Sequence, residues 1–321
     1  MILLVPIIAL VTGFVLLILS ADLFTDNGVK IANVYKISPL IIGIIIFGFG
    51  TSAPEIFVSI FAAFQDHPEL AVGNAFGSNI LNIALVLGIT AMIVPITVNV
   101  KATIKQWYFL ITYTLITGAL LLWDKHLGFF DGCILLGLLG LFLWYTFKES
   151  KKVHDKFDNL SSNVDISQKW IIWRNLLISL VVLLVSAQLI VYAGVNIAEW
   201  FRVPDLIIGL TIVALGTSLP ELAVAITSAI KRQHEMVVGN IIGSNIFNTV
   251  AVLAIPGLIS PVTIQDEITH DYLAMFALTI FLAVFFLFSP VTKLKDTISR
   301  LEGFGLIMIL SIYIYIRFLS P

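Results

Sequence analysis

The feature that most constrains the fold of this chain is an internal repeat. Residues 40–98 recur 166 positions later, at 206–264, without a gap in the alignment. The segment "PLIIGIIIFGFGTSAPE" aligns with "DLIIGLTIVALGTSLPE", and "AVGNAFGSNILNI" aligns with "VVGNIIGSNIFNT". Roughly half of the aligned positions are identical, which a shared apolar composition does not explain. The chain is therefore built from two related halves.

The composition places both halves in a membrane. Of the 321 residues, 59% are hydrophobic and only 12% are charged, which is too few polar side chains to cover a soluble domain. Apolar runs reach the ~20 residues that cross a bilayer as a helix. We predict ten membrane-spanning helices, at roughly 3–24, 38–65, 69–95, 105–123, 129–147, 171–200, 204–230, 235–259, 270–289 and 303–319.

The positive charges are distributed unevenly between the predicted loops. All but Lys125, Arg202 and Arg317 of the 18 Lys and Arg residues fall on one side of the ten spans. Loops rich in Lys and Arg stay in the cytoplasm. The distribution predicts a multi-pass protein of the cell (inner or plasma) membrane, with both termini outside. The polar stretch 148–170 is predicted to be a cytoplasmic linker.

Five predicted spans separate equivalent points of the two copies. Because five is odd, the second copy crosses the membrane in the opposite direction to the first. Inverted repeats are typical of secondary transporters that work by alternating access. The predicted fold is an all-α polytopic membrane protein of two five-helix repeats, 1–147 and the inverted 171–321, with broken helices 2 and 7.

A helix-breaking motif lies in the middle of one apolar span in each copy. In "GTSAPE", Pro54 has no N–H and its ring clashes with the carbonyl of Gly50; in "GTSLPE", Pro220 stands in the same relation to Gly216. The carbonyls of residues 48–51 should therefore lose their helical partners. A membrane tolerates such carbonyls only where they are buried in protein or line a cavity. The breaks predict a binding site at matching points of the two halves.

A carboxylate follows each break directly, Glu55 in the first copy and Glu221 in the second. Two ionised carboxylates near the midplane are costly, and they repel each other if the halves pack face to face. A divalent cation removes that repulsion. The carboxylates and the carbonyls of Thr51 and Thr217 would give it the all-oxygen shell that Ca²⁺ takes. Zinc prefers nitrogen or sulfur ligands and Mg²⁺ suits a rigid octahedron, so Ca²⁺ ranks first.

A second motif follows in each copy, "GNAFGSNILN" at 73–82 and "GNIIGSNIFN" at 239–248. Ser78 and Asn82 are four residues apart and share a helix face, as do Ser244 and Asn248. Their neutral oxygens suit a small monovalent cation. The same side chains can instead hydrogen-bond neighbouring helices, and the glycines can serve close packing. The sequence leaves both interpretations open.

The two motifs, paired and inverted, resemble the alpha repeats of the cation/calcium exchanger superfamily, most closely the short prokaryotic sodium/calcium exchangers. The resemblance extends over essentially the whole chain. It implies ten helices, with ligands on the broken second and seventh helices beside the third and eighth. It also implies that Glu55 and Glu221 bind Ca²⁺ together with the carbonyls of Thr51 and Thr217.

The resemblance further implies a set of Na⁺ ligands. These are the side chains and carbonyls of Ser52, Ser78, Ser218, Ser244, Gly48 and Ala214. Asn82 and Asn248 fall on the positions that close the middle of the site. Some relatives carry an aspartate where this chain has Asn248, so the site has two carboxylates rather than three. That difference leaves the ion stoichiometry open.

The predicted function is secondary active exchange of Na⁺ for Ca²⁺, with charge moved in each cycle. The alternative is a Ca²⁺/H⁺ antiporter of the same fold, in which the two glutamates carry the protons; the serine hydroxyls favour Na⁺. An intramembrane protease or a passive channel explains the mirrored breaks less well. We expect no enzyme activity, no cofactor and no nucleic-acid partner. The expected partners are the transported Ca²⁺ and Na⁺ and the lipid bilayer, and a monomer suffices.

Overall fold

A computed structural model of the chain describes residues 3–157, 166–203, 212, 214–292 and 297–319, which are mostly helical. The α-helices are Leu4–Tyr35, Pro39–Ile42, Phe49–Thr51, Ala53–Phe64, Pro68–Leu81, Leu87–Ile93, Val100–Trp123, Phe129–Phe157, Ile166–Trp200, Ala214–Thr217, Leu219–Ile230, His234–Phe247, Ala254–Ile259, Asp266–Thr292 and Arg300–Ile314. The π-helical segments are Gly43–Gly48, Asn82–Val86, Asn248–Val252 and Tyr315–Leu319. The strands are Ile96–Thr97, His126–Leu127, Val262–Thr263 and Thr297–Ile298.

The described helices confirm a polytopic membrane protein. Six of them are long and apolar enough to cross a bilayer: Leu4–Tyr35, Pro68–Ile93, Val100–Trp123, Phe129–Ser150, Lys169–Trp200 and His234–Ile259. The bent pair Pro39–Thr51 and Ala53–Phe64 would add a seventh. Large apolar side chains such as Leu4, Trp123 and Phe130 are exposed on the outside of the bundle. Apolar surface of this extent marks contact with lipid rather than with water.

Two helices form the centre of the bundle. Within their apolar stretches, 67% of Pro68–Ile93 and 83% of His234–Ile259 is buried, against 28% of Leu4–Tyr35 and 22% of Phe129–Ser150. The two central helices carry the second motif of each copy. Apart from the half-buried Asn74, the asparagines and serines of that motif are therefore buried inside the protein.

Short strands tie loops together at both ends of the bundle. Ile96–Thr97 pairs antiparallel with Thr297–Ile298, and His126–Leu127 pairs antiparallel with Val262–Thr263. The strands 96–97 and 262–263 stand at equivalent points of the two copies. The repeat therefore extends from the sequence to the structure of the loops.

The first helix is longer than predicted. It continues to Tyr35 instead of ending near residue 24, so Lys30 lies within a helix and not in a loop. Asp26 on the extension and Asp22 just before it both form ion pairs with Lys231, which lies 2.8 Å from Asp22. A polar helix end that is held by such ion pairs can extend beyond the lipid. An apolar run in the sequence therefore predicts only the part of the helix that lies within the lipid.

The helices also extend into the stretch predicted as a linker. The helix that begins at Phe129 continues to Phe157, and the next begins at Ile166. An ion pair of 3.2 Å between Lys105 and Glu149 joins this extension to a neighbouring helix. Residues 158–165 of the predicted linker lie outside the described residues.

Candidate ion-binding site

The first helix break lies at the predicted motif. The helical segments Pro39–Thr51 and Ala53–Phe64 meet at an angle of 40°. Between them, Ser52 has φ −79° and ψ 4°, outside the helical region. Pro54 is the second residue of the following helix, where a backbone N–H would have no hydrogen-bond acceptor within the helix. The proline therefore starts a new helix as much as it ends the previous one.

The second break repeats this geometry. Ser218, with φ −89° and ψ 2°, separates the turn Ala214–Thr217 from the helix Leu219–Ile230. Pro220 again occupies the second position of the helix that follows. Ala214, a predicted carbonyl ligand, is the first residue of the turn, and Thr217 is the last. Equal local sequences thus give equal breaks in the two halves.

One predicted consequence of the first break is wrong. The carbonyl of Gly48 is not freed: it accepts hydrogen bonds from the N–H of Ser52 at 3.2 Å and from the hydroxyl of Ser244 at 3.3 Å. The π-helical turn Gly43–Gly48 keeps the chain coiled up to the break and so preserves the first bond. Thr51, in contrast, is the last residue of its helical segment, so its carbonyl lies directly at the break.

The two glutamates are fully buried, each with 0% exposure. Each lies in the first turn of the helix after its break, where the helix dipole favours negative charge. The hydroxyl of Ser78 donates to Oε1 of Glu55 at 3.4 Å. Oε2 of Glu55 and both carboxylate oxygens of Glu221 have no hydrogen-bond partner among the described residues. Two buried carboxylates with so few hydrogen-bond partners suit a bound cation.

The predicted hydroxyl groups surround the same breaks. Ser52 and Ser218 are completely buried, and within the described ranges neither hydroxyl has a partner. Thr51 and Ser244 belong to different halves, and their hydroxyl oxygens lie 3.4 Å apart. Thr217 is buried beside Ser218. The structure therefore brings predicted residues of both halves into contact.

The predicted asparagines have an unusual backbone. Asn82 and Asn248 begin the π-helical segments Asn82–Val86 and Asn248–Val252, which the sequence did not predict. Such segments are rare in proteins overall, and those that do occur often lie at functional sites. The amide of Asn82 donates to Oδ1 of Asn245 at 3.3 Å. Neither amide atom of the buried Asn248 has a partner among the described residues, so this side chain can serve as a neutral ligand.

Two further asparagines of the second motif were missed, Asn74 and Asn240. Each donates from Nδ2 to the main-chain carbonyl of the glutamate in its own half, Asn74 to Glu55 and Asn240 to Glu221, both at 3.4 Å. Their signal in the sequence is identity between the two copies at a polar position. They stand four residues before Ser78 and Ser244, on the same helix face.

The donor set defines the chemistry of the site. The described residues contain no group of three or more His, Cys, Asp or Glu side chains that could hold a metal ion. The negative charge at the breaks comes from two carboxylates, and the other groups are hydroxyl, amide and carbonyl oxygens. All-oxygen surroundings of this kind suit hard cations such as Ca²⁺ and not zinc.

Comparison with known proteins extends the similarity over the whole chain. A profile of the sodium/calcium exchanger protein family matches residues 5–148 and 172–319. The putative antiporter CaxA of Alkalimonas amylolytica is 41% identical over 99% of this chain and 100% of its own. The sodium/calcium exchanger MaX1 of Methanosarcina acetivorans is 24% identical over 96% of this chain and 97% of its own.

A solved structure agrees with these matches. The sodium–calcium exchanger NCX_Mj, soaked with zero Na⁺ and Ca²⁺, superimposes with a TM-score of 0.83 at 30% identity, over 97% of this chain and 98% of that one. The profile covers both helix breaks, both buried glutamates and both copies of the second motif. The chain therefore belongs to the sodium/calcium exchanger protein family, whose members are membrane transporters and not enzymes.

Proposed function

We propose that this chain exchanges Na⁺ for Ca²⁺ across the cell membrane by alternating access. The observation that carries the proposal is the pair of buried glutamates at matching helix breaks. Three of their four carboxylate oxygens have no hydrogen-bond partner within the described residues. Unpaired charge at this depth costs at least about 3 kcal/mol per side chain, so the pair is favourable only when cations compensate it.

The Ca²⁺ site combines both halves. Glu55 and Glu221 supply the charge, and the carbonyls of Thr51 and Thr217 supply neutral oxygens. Ca²⁺ takes 6–8 oxygens at about 2.3–2.6 Å and tolerates irregular geometry. The position of Thr51 at the end of its helical segment, directly before the break, supports its part in this set.

The Na⁺ ligands are neutral oxygens around the same breaks: Ser52, Ser78, Ser218 and Ser244, the carbonyls of Gly48 and Ala214, and Asn82 and Asn248 in the middle. The buried hydroxyls of Ser52 and Ser218, which have no partner among the described residues, support this assignment. The Gly48 carbonyl already accepts two hydrogen bonds, so it binds an ion only if Ser244 turns away. The names of MaX1 and NCX_Mj as sodium/calcium exchangers favour Na⁺ as the coupling ion.

The proposed architecture has ten helices in two inverted five-helix repeats, 1–147 and 171–321, joined by a cytoplasmic linker at 148–170. Three pairs of equivalent features support it: the breaks at Ser52 and Ser218, the π-helical segments that begin at Asn82 and Asn248, and the strands 96–97 and 262–263. A monomer contains both halves of the site, so it suffices for transport.

Ca²⁺ uptake into proteoliposomes tests the function. With Na⁺ loaded inside and absent outside, radioactive Ca²⁺ should accumulate, because exit of Na⁺ drives entry of Ca²⁺. Vesicles with equal Na⁺ on both sides are the control. If uptake follows a pH gradient in the absence of Na⁺ and ignores the Na⁺ gradient, the protein is a Ca²⁺/H⁺ antiporter instead.

Thiol labelling tests the orientation of the chain. Asp66 and Arg232 are equivalent loop residues of the two copies, both with positive φ (58° and 59°). In a variant with the exposed Cys133 replaced by serine, Asp66→Cys should react with an impermeant maleimide in intact cells, and Arg232→Cys should react only after the cells are opened. The lysine-rich loops predict this order, and the reverse order would invert the orientation.

A further inference from the structure

An amide contact joins the two central helices across the halves of the chain. Nδ2 of Asn82, in the first half, donates to Oδ1 of Asn245, in the second, at 3.3 Å. Both side chains are buried, each with 1% or less exposure. In a planar amide the oxygen points away from the nitrogen, and Oδ1 of Asn82 has no partner among the described residues. The contact with Asn245 therefore leaves the oxygen of Asn82, and not its nitrogen, available to another group.

Asn82 stands one helical turn from a residue that contacts the candidate site. Ser78, four positions earlier on the same helix face, donates from its hydroxyl to Oε1 of Glu55 at 3.4 Å. An amide oxygen is a neutral ligand for a hard cation, whereas an amide nitrogen carries two donors and no acceptor. The atom of Asn82 that faces the ion therefore decides whether this side chain favours binding or opposes it.

A second contact between the halves holds the turn that carries Asn245. Nδ2 of Asn79 donates to the hydroxyl oxygen of Thr249 at 2.9 Å, and that hydroxyl donates to the main-chain carbonyl of Asn245 at 2.7 Å. Asn79 and Thr249 are both buried. Asn245 is thus tied to the first half through its backbone as well as through its side chain.

The repeat supplies a comparison, because Asn79 and Asn248 are the counterparts of Asn245 and Asn82. Within the described part of the chain, no hydrogen bond joins this second pair. Both amide atoms of Asn248 and Oδ1 of Asn79 are buried without a partner there. Asn82 therefore has a neighbour that orients its amide, and Asn248 has none of this kind among the described residues.

A difference in sequence between the two copies explains why the pairs differ. Asn79 donates from Nδ2 to the hydroxyl of Thr249 at 2.9 Å and to the sulfur of Met275 at 3.2 Å. The first copy has Ile83 where the second has Thr249, and isoleucine has no hydroxyl that could hold Asn245 in the same way. Asn245 instead pairs with the amide of the neighbouring half.

We propose that Asn245 is a positioning residue that orients the amide of Asn82, so that Oδ1 and not Nδ2 faces bound Na⁺. This inference rests on the proposed function, in which Asn82 is one of the neutral Na⁺ ligands. The bound cation and the hydrogen bond reinforce each other, because both favour the same orientation of the amide. At Asn248, which has no such neighbour among the described residues, only the ion favours one orientation.

The Na⁺ dependence of transport tests the proposal. Initial Ca²⁺ uptake into proteoliposomes is measured at increasing internal Na⁺, which gives the half-saturating Na⁺ concentration separately from the maximal rate. Asn245→Ala should raise the half-saturating Na⁺ concentration about fivefold, because one buried hydrogen bond is lost. The half-saturating Ca²⁺ concentration in Na⁺-free Ca²⁺/Ca²⁺ isotope exchange should change less than about twofold. Equal weakening for both ions, or a lower maximal rate alone, would indicate a structural role and overturn the proposal.

A double-mutant cycle shows whether Asn245 acts through Asn82. Asn82→Ala removes the ligand, so adding Asn245→Ala should cause no further rise in the half-saturating Na⁺ concentration. The counterparts are the matched control: Asn79→Ala and Asn248→Ala remove side chains that share no hydrogen bond, so their effects should multiply. Independent effects of Asn245 and Asn82, or coupling of equal size in the control pair, would contradict the proposal.

A conservative variant separates the acceptor from the rest of the side chain. Asn245→Asp keeps the shape and the acceptor and removes only an amide nitrogen that has no partner among the described residues. Its half-saturating Na⁺ concentration should not exceed that of the wild type, and a rise as large as that of Asn245→Ala would overturn the proposal. If Asn245→Ala does not fold, Asn245→Leu, which fills the space without an acceptor, replaces it in the cycle.

Failure of the proposed function would give a different result. Ca²⁺ uptake by the wild type that does not depend on internal Na⁺ contradicts the proposed function and the inference with it. A normal Na⁺ dependence in the wild type that Asn245→Ala leaves unchanged contradicts the inference alone.

Discussion

Glu55→Gln and Glu221→Gln should each lower the rate of Ca²⁺ transport at subsaturating Ca²⁺ by about 100-fold or more, equivalent to roughly 3 kcal/mol. Glutamine keeps the shape of the side chain but removes one of the two negative charges that face a divalent ion. The affinity of Ca²⁺ sites depends on the number of charged ligands. Because the two side chains are fully buried, solvent cannot compensate for the lost negative charge. The measurement is initial Ca²⁺ uptake into proteoliposomes with Na⁺ inside.

The repeat supplies a matched pair of controls. Glu69 and Glu235 are equivalent residues in the first turns of the two central helices, and both are accessible to solvent to some degree. Glu69→Gln and Glu235→Gln remove the same charge outside the site, so transport should change less than about twofold. Near-normal Ca²⁺ transport by both buried variants, at normal amounts of folded protein, would rule out the glutamates as the Ca²⁺ ligands.

The membrane potential should change the Ca²⁺ gradient that the exchanger sustains by about 50-fold per 100 mV. The resemblance to sodium/calcium exchangers implies three Na⁺ for each Ca²⁺, which moves one net positive charge per cycle. One charge crossing 100 mV corresponds to about 2.3 kcal/mol. With only two carboxylates in the site, the third Na⁺ must be held by neutral oxygens such as those of Ser78 and Ser244.

Proteoliposomes with potentials set by K⁺ and valinomycin allow this measurement. The Ca²⁺ ratio at which net flux stops is recorded at several potentials with a fixed Na⁺ gradient. The expected slope is one charge per Ca²⁺. A ratio that does not depend on potential would indicate electroneutral exchange of two Na⁺ for one Ca²⁺, which the charge of Glu55 and Glu221 alone would balance.

The sequence was sufficient for the features that depend on local pattern. Apolar runs located the six described helices that are long and apolar enough to cross a membrane. Pro54 and Pro220 located the two breaks to within a few residues, because proline restricts the chain wherever it stands. Self-alignment predicted that the two halves share local structure, and the matching dihedral angles of Ser52 and Ser218 agree. Both glutamates lie in buried positions directly after the breaks.

The features that the sequence did not predict depend on partners far along the chain. The first helix reaches Tyr35 with Asp22 and Asp26 paired to Lys231, more than 200 positions later. The carbonyl of Gly48 is satisfied in part by Ser244, 196 positions away. No local pattern encodes such pairs, since each depends on how the two halves pack. The contact between Asn240 and Thr51 escaped prediction for the same reason.

The π-helical segments bear on the history of the chain. A π-helical turn holds about one residue more than an α-helical turn, so each segment can accommodate an extra residue without unwinding the helix. Both segments begin at the same asparagine of the repeated motif, Asn82 and Asn248. The simplest lineage has the extra residue present in a single ancestral half before that half was duplicated. An ancestral protein with a single copy of the motif would have carried one buried glutamate and would have needed a second copy to bring two together.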